Sequence, residues 1–177
     1  MIKLREIKTE DLPTLLAWRN SPDLNKYFRQ TGVITKESHY MWHRSLVNSN
    51  THYMRAIMIK KTFELVGVCG LCYLDDVNKR AEISLYIGKN NEYIDSHGYS
   101  DHALNILCNL GFIDFGLRKI WTDIIDYDEK KQKLLERHGF KKVKTLKRRY
   151  LKGISYRNAY LYEKLNKKNE NNRREVV

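Results

Sequence analysis

Residues 81 to 138 read AEISLYIGKNNEYIDSHGYSDHALNILCNLGFIDFGLRKIWTDIIDYDEKKQKLLERH. The runs 81–87 and 119–125 are rich in β-branched and aromatic residues, the signature of strands. Tyr99 to Phe115 carries apolar residues at helical spacing, and 128–138 does so again. A strand, a crossover helix and a second strand imply a parallel pair with the helix packed on the sheet. Between them, Asp95-Ser96-His97-Gly98-Tyr99-Ser100 sets a glycine at a helix N-terminus. Such a terminus presents unpaired N–H groups and the positive end of the helix dipole to an anion.

Working outward, residues 2–7 alternate apolar and charged as a short strand. Thr9 or Asp11 can cap a helix carrying Leu12, Leu15, Leu16 and Trp18, with Pro13 tolerated in its first turn. Ser21-Pro22-Asp23 closes that helix and opens a short one through Tyr27 and Phe28, and Thr35 caps a third that runs to about Asn48. Runs 53–60 and 64–74 form a hairpin, and two β segments near 140–150 and 155–164 close the chain. The expected fold is therefore α/β: one domain over residues 1–165, with a mixed, mostly antiparallel sheet of six or seven strands and helices on both faces. From Asn166 onward the polar segment NKKNENNRREVV has no periodicity, so 166–177 is expected to be a disordered tail.

Composition narrows the function classes. In 177 residues, 42% are hydrophobic and 31% charged, which argues against a disordered chain or a coiled coil. No apolar run approaches the roughly 18 residues needed to cross a bilayer, so a cytoplasmic protein without a membrane partner is expected. Three cysteines do not make a disulfide framework. Cys69 and Cys72 lie three apart on a strand and so face opposite ways, and the histidines lack ligand spacing, so no metal is expected. The formal charge of +12 calls for an acidic partner. Much of it lies at 130–152, where eleven Lys and Arg face Glu136 alone. A non-enzymatic nucleic-acid-binding module would also use that charge, but no helix-turn-helix, zinc finger or RNP-type motif accompanies it, so nucleic acid is not the expected partner.

Several motifs, in order, carry a resemblance. Trp18-Arg19-Asn20-Ser21-Pro22-Asp23 resembles the "WRN-x-P" helix end of a branch holding ribosomal-protein N-terminal acetyltransferases and bacterial amino-sugar acetyltransferases. Glu37, His39 and Trp42 match its Glu-x-His-x-x-Trp pattern, and Gly67 and Gly70 stand where its third strand carries glycine. Ala81-Glu82-Ile83 resembles the start of its fourth strand, and Leu134, Glu136, Gly139 and Phe140 resemble the "L-x-E-x-x-G-F" close of its last helix. Over most of residues 2–164 the chain thus resembles the GNAT superfamily of acetyl-CoA-dependent N-acetyltransferases.

The resemblance implies acetyl-CoA as co-substrate, with its pyrophosphate on the amides of His97, Gly98, Tyr99 and Ser100. It implies that Leu85, Tyr86 and Ile87 run along the acetyl arm and supply a backbone N–H to the oxyanion. It makes Glu82 the base that takes the amine proton, directly or through water. Family members carry Arg or Gln at the place of Asp95, and an acid beside a pyrophosphate is unfavourable, so Asp95 is expected to turn away or to cap the helix. Many members also use a tyrosine where this chain has Leu135 to protonate the departing sulfur. Tyr127 or a water is the expected substitute. Asp128 stands where an asparagine often touches the pantetheine arm, and it reads equally as a helix N-cap.

His39 and Trp42 share a helix face, and with Arg19 and Tyr27 they are expected to wall the acceptor site. The acceptor implied is the primary amine of a small anionic molecule such as a nucleotide-linked amino sugar. Some of Lys147, Arg148 and Arg149 would attract it, with Arg19. The N-terminus of a protein is the alternative acceptor, and a homodimer is left open.

Overall fold

The computed structural model describes residues 1–30 and 32–166, so the expected tail 166–177 lies outside the described residues except for Asn166, whose amide bonds the Arg118 carbonyl at 2.9 Å. The helical arm is α1 (Leu12–Asn20), α2 (Pro22–Asn25) and α3 (Lys36–Leu46), following β1 (Ile2–Arg5). The meander is β2 (His52–Ile59), β3 (Leu65–Asp75) and β4 (Arg80–Ile87). Then come α4 (Tyr99–Asn109), β5 (Lys119–Ile125), α5 (Glu129–Arg137), β6 (Lys141–Lys152) and β7 (Ser155–Leu165). Seven strands form one sheet in the order β1-β2-β3-β4-β5-β7-β6, and only β4 and β5 run parallel.

Burial explains the layering. Every residue of β3 from Val66 to Leu71 is buried, as is β4 from Ala81 to Ile87 except Ser84. Strands buried on both faces need cover on both sides. Leu104 and Leu107 of α4, and Leu134 and Leu135 of α5, are almost wholly buried. Each such side chain contributes about 1.5–3 kcal/mol by leaving water. The helix expected over Tyr99–Phe115 instead widens after Asn109, where the Phe115 amide reaches back five residues to the Leu110 carbonyl. Gly111 lies under that turn, against Ile120 and Leu117.

The strand register opens the sheet at one point. The parallel pairing of β4 with β5 covers only Arg80–Lys119, Ala81–Ile120 and Glu82–Trp121, after which the strands part. At the far end Ile87 closes on Tyr93 through N···O distances of 2.8 and 3.0 Å. Between Glu82 and Ile87, one flank of β4 therefore faces a gap.

Candidate active site

The gap opens into a cleft of about 550 Å³ between the splayed strands and the helical arm. Glu82 sits at its root, where the last paired residue of β4 turns its side chain inward, and is only 3% exposed. Its Oε1 takes the Arg29 guanidinium and lies 3.5 Å from the Thr122 hydroxyl that donates to it. No bond engages Oε2 among the described residues, so that oxygen is left to the cleft. The same Arg29 nitrogen bonds the Thr122 hydroxyl at 3.2 Å and the Asp123 carbonyl at 3.1 Å, and pairs with Asp123 Oδ1 at 3.1 Å. Asp123 Oδ2 in turn accepts from Tyr150 at 2.7 Å and Arg149 at 3.2 Å. Both carboxylates of the cleft are thus neutralised by arginine.

The arm supplies the opposite wall. Arg19, Tyr27, His39 and Trp42, all expected from the sequence, line the cleft with Glu82, Leu85 and Tyr86. Thr35 caps α3 through the Ser38 amide at 3.2 Å, which sets the helix that carries His39 and Trp42. Their rings stack with centroids 5.1 Å apart. His39 is 5% exposed and its Nε2 has no partner among the described residues. Burial pushes its pKa down, and the nearby Arg19 and His43 add to that. Arg19 bonds the Gln30 side chain, lies 4.1 Å over the Phe28 ring, and has no carboxylate partner among the described residues. Lys152, at the tip of β6, ties the arm's loop down through the carbonyls of Asn25, Phe28 and Gln30.

Other expected residues lie elsewhere. Tyr127 is outside the cleft lining, and its hydroxyl is committed to the Lys26 carbonyl at 2.5 Å. Asp128 caps α5 through the Lys131 amide at 3.0 Å and accepts the Tyr93 hydroxyl at 2.7 Å, so both oxygens are spent on structure. Arg148 covers the Tyr156 ring, and Arg149 is the ion-pair partner of Asp123. His97, Gly98, Tyr99 and Ser100 stand apart from the cleft lining at the head of α4. Gly98 has φ +84°, a region natural to glycine, and the space beyond its Cα is open. Asp95 caps this helix as expected, accepting from the Tyr99 amide at 2.8 Å and from the Ser100 amide at 2.7 Å.

Sequence reasoning missed Arg29, Asp123 and Lys131. Lys131 lies in the splay itself, its Nζ donating to the Leu85 carbonyl at 3.3 Å. Desolvation pulls its pKa down to about 8.

The gap suits the acetyl and pantetheine arm of acetyl-CoA. The Leu85 carbonyl faces the gap, where the Lys131 ammonium donates to it at 3.3 Å. Gly98 leaves room for the pyrophosphate, provided Asp95 releases the Tyr99 and Ser100 amides.

The acetyltransferase (GNAT) domain family matches residues 2–141. An N-acetyltransferase of Bacillus licheniformis known as p20, itself uncharacterised, is 27% identical over 150 residues, covering 82% of both chains. An uncharacterised protein of Methanocaldococcus jannaschii is 31% identical over 147 residues, covering 81% of this chain and 28% of that one. In structure, the spermidine N-acetyltransferase of Vibrio cholerae, solved with CoA and spermine, superposes with a TM-score of 0.85 at 16% identity, covering 93% of this chain and 95% of the other. A crystal structure of a probable acetyltransferase superposes with a TM-score of 0.79 at 20% identity, covering 94% of both chains. At such identities the structural likeness is one of fold. The protein is an acyltransferase. More particularly, the chain belongs to the GNAT family and is an acetyl-CoA-dependent N-acetyltransferase.

Proposed function

We propose that this enzyme acetylates the primary amine of a small anionic acceptor, a nucleotide-linked amino sugar. The supporting observation is the charge of the acceptor wall: Arg19 is a half-buried guanidinium without a carboxylate partner among the described residues, while Asp123 is paired with Arg29 and Arg149 and Glu82 is paired with Arg29 through Oε1, its Oε2 being left to the cleft as the base. A guanidinium pulled from water in that state favours a phosphate, which its fork can bind bidentately. A cationic polyamine, the ligand held by the Vibrio cholerae relative, would need free carboxylates at the same place. The unpartnered Nε2 of His39 offers a further polar contact to the acceptor.

Within this reading acetyl-CoA, held along Leu85 and Tyr86 and at the head of α4, supplies an activated acetyl group. The residues of the chain do the rest. Arg29 holds Glu82 in place through Oε1, so that Oε2 takes the proton of the incoming amine, directly or through one water. Trp42, stacked on His39, shields that wall from solvent.

The test is a panel of amines offered with acetyl-CoA and read by free-thiol release: a uridine-diphosphate-linked amino sugar, spermidine, and a peptide with a free N-terminus. The nucleotide sugar should be preferred, and Arg19→Gln should raise its KM at least roughly tenfold with a smaller change in kcat, as expected for loss of a charge-assisted contact. Preference for spermidine or the peptide would overturn the reading.

A further inference from the structure

We propose that Lys131 is the acid that protonates the CoA sulfur as it departs, an assignment that rests on the acetyltransferase reading above. The geometry places it for this. Lys131 reaches from the first turn of α5 across the splay, and its Nζ lies 3.3 Å from the Leu85 carbonyl on the open flank of β4. Its ammonium is in the cleft with Glu82 and Tyr86, one helical turn before Leu135 on the same face of α5.

Several other groups near the cleft are unsuited. Leu135 is apolar and 1% exposed, and the Tyr127 hydroxyl is held by the Lys26 carbonyl at 2.5 Å. The Tyr93 hydroxyl donates to Asp128, and burial pushes the Tyr86 phenol up to about 12. Arg19 and Arg29 do not release protons. His39 is held toward its neutral form by burial.

Burial, by contrast, pulls Lys131 down to about 8, close to the reference cysteine thiol value of about 8.5. Desolvation lowers it, Asp128 and Asp123 oppose that, and Arg29 and Arg19 reinforce it. The ring of Tyr93, 5.8 Å away, and the thiol of Cys72 on β3 complete its surroundings.

The proton balance closes. As the acceptor nitrogen bonds the acetyl carbon, the carbon–sulfur bond breaks and its electron pair stays on sulfur. Lys131 gives that sulfur a proton, and Glu82 takes the proton that the amine gives up. Exchange with solvent returns a proton to Lys131 and removes one from Glu82.

An experiment that needs no acceptor tests this. CoA bound to the full-length protein is titrated by the ultraviolet absorbance of its thiolate, with occupancy fixed by calorimetry. In the wild type the bound thiol should ionise at least about one pH unit below free CoA, a tenfold effect, because the ammonium stabilises the thiolate. Lys131→Met should abolish the shift, and Lys131→Arg, which keeps the charge, should retain it. Lys131→Gln replaces the Met variant if the latter does not fold. Equal thiol titration in the wild type and the neutral variant, with CoA bound to both, would overturn the assignment alone. Failure of the wild type to bind CoA would overturn the acetyltransferase site as well.

Discussion

Glu82 is buried beside the Arg29 guanidinium, a setting that fixes its direction. Its Oε1 is occupied by Arg29, so what the cleft receives is a carboxylate oriented by its neighbours. Glu82→Gln keeps the shape and removes the proton acceptor. It should lower kcat by roughly 10² to 10⁴ while leaving CoA affinity in calorimetry nearly unchanged. Wild-type kcat in a folded Glu82→Gln variant would move the role of base to another group. His39 gives a second test at this scale. Its folded pKa lies below the ordinary 6.5, so in the window between the two values the unfolded chain binds a proton that the folded chain refuses. Stability is therefore lost as pH falls below about 6.5, and His39→Gln should flatten that loss. Urea midpoints measured at several pH values check it: an unchanged slope would show that the imidazole is not held neutral by the fold.

Among the elements, α4 carries the sharpest conflict. Its N-terminal amides suit an anion, yet Asp95 already supplies one, accepting from Tyr99 and from both the amide and the hydroxyl of Ser100. A bound pyrophosphate must compete with this carboxylate for the same donors and repel it. Asp95→Asn keeps a capping oxygen while removing the charge, so CoA should bind more tightly. The helix should lose part of a cap whose full removal costs about 0.5–2 kcal/mol. Calorimetry with CoA and a thermal melt measure both effects, and weaker CoA binding in the variant would show that Asp95 supports the site.

Caps of this kind were readable in the sequence because their geometry is local. Thr35 with Ser38, Asp95 with Tyr99, and Asp128 with Lys131 each span three or four residues. The strand–helix–strand pattern of residues 81–125 likewise announced the parallel pair that opens the sheet. Arg29 was not readable. Its partners Glu82 and Asp123 lie 53 and 94 residues away, and no periodicity encodes a contact made only when the arm folds over the splay. Lys131 was hidden in a different way, since one cation in a basic run looks like its neighbours until the fold turns it inward. Tyr127 looked suitable by position, but its hydroxyl found a backbone carbonyl of the arm instead.

At the scale of the whole molecule, the basic side chains behind the formal +12 charge include two distinct populations. Arg19, Arg29 and Lys131 line the cleft. Lys141, Lys144 and Lys147 stand exposed on β6, the last strand of the sheet, where charge also discourages pairing with another edge. The two populations should respond differently to salt. Exposed charges act at a distance and are screened beyond about 8–10 Å at physiological ionic strength, whereas a half-buried guanidinium in contact with its ligand is screened much less. Replacing Lys141, Lys144 and Lys147 together by Gln should therefore lower kcat/KM for an anionic acceptor several-fold at about 50 mM salt, through slower encounter. The same variant should match the wild type at about 300 mM, with kcat unchanged throughout. Arg19→Gln should instead keep its KM defect at both salt concentrations. Steady-state kinetics across that range decide the matter. A triple variant indistinguishable from the wild type at low salt would reduce the β6 lysines to edge protection, and an Arg19→Gln variant with the wild-type KM at both salt concentrations would remove the anionic acceptor.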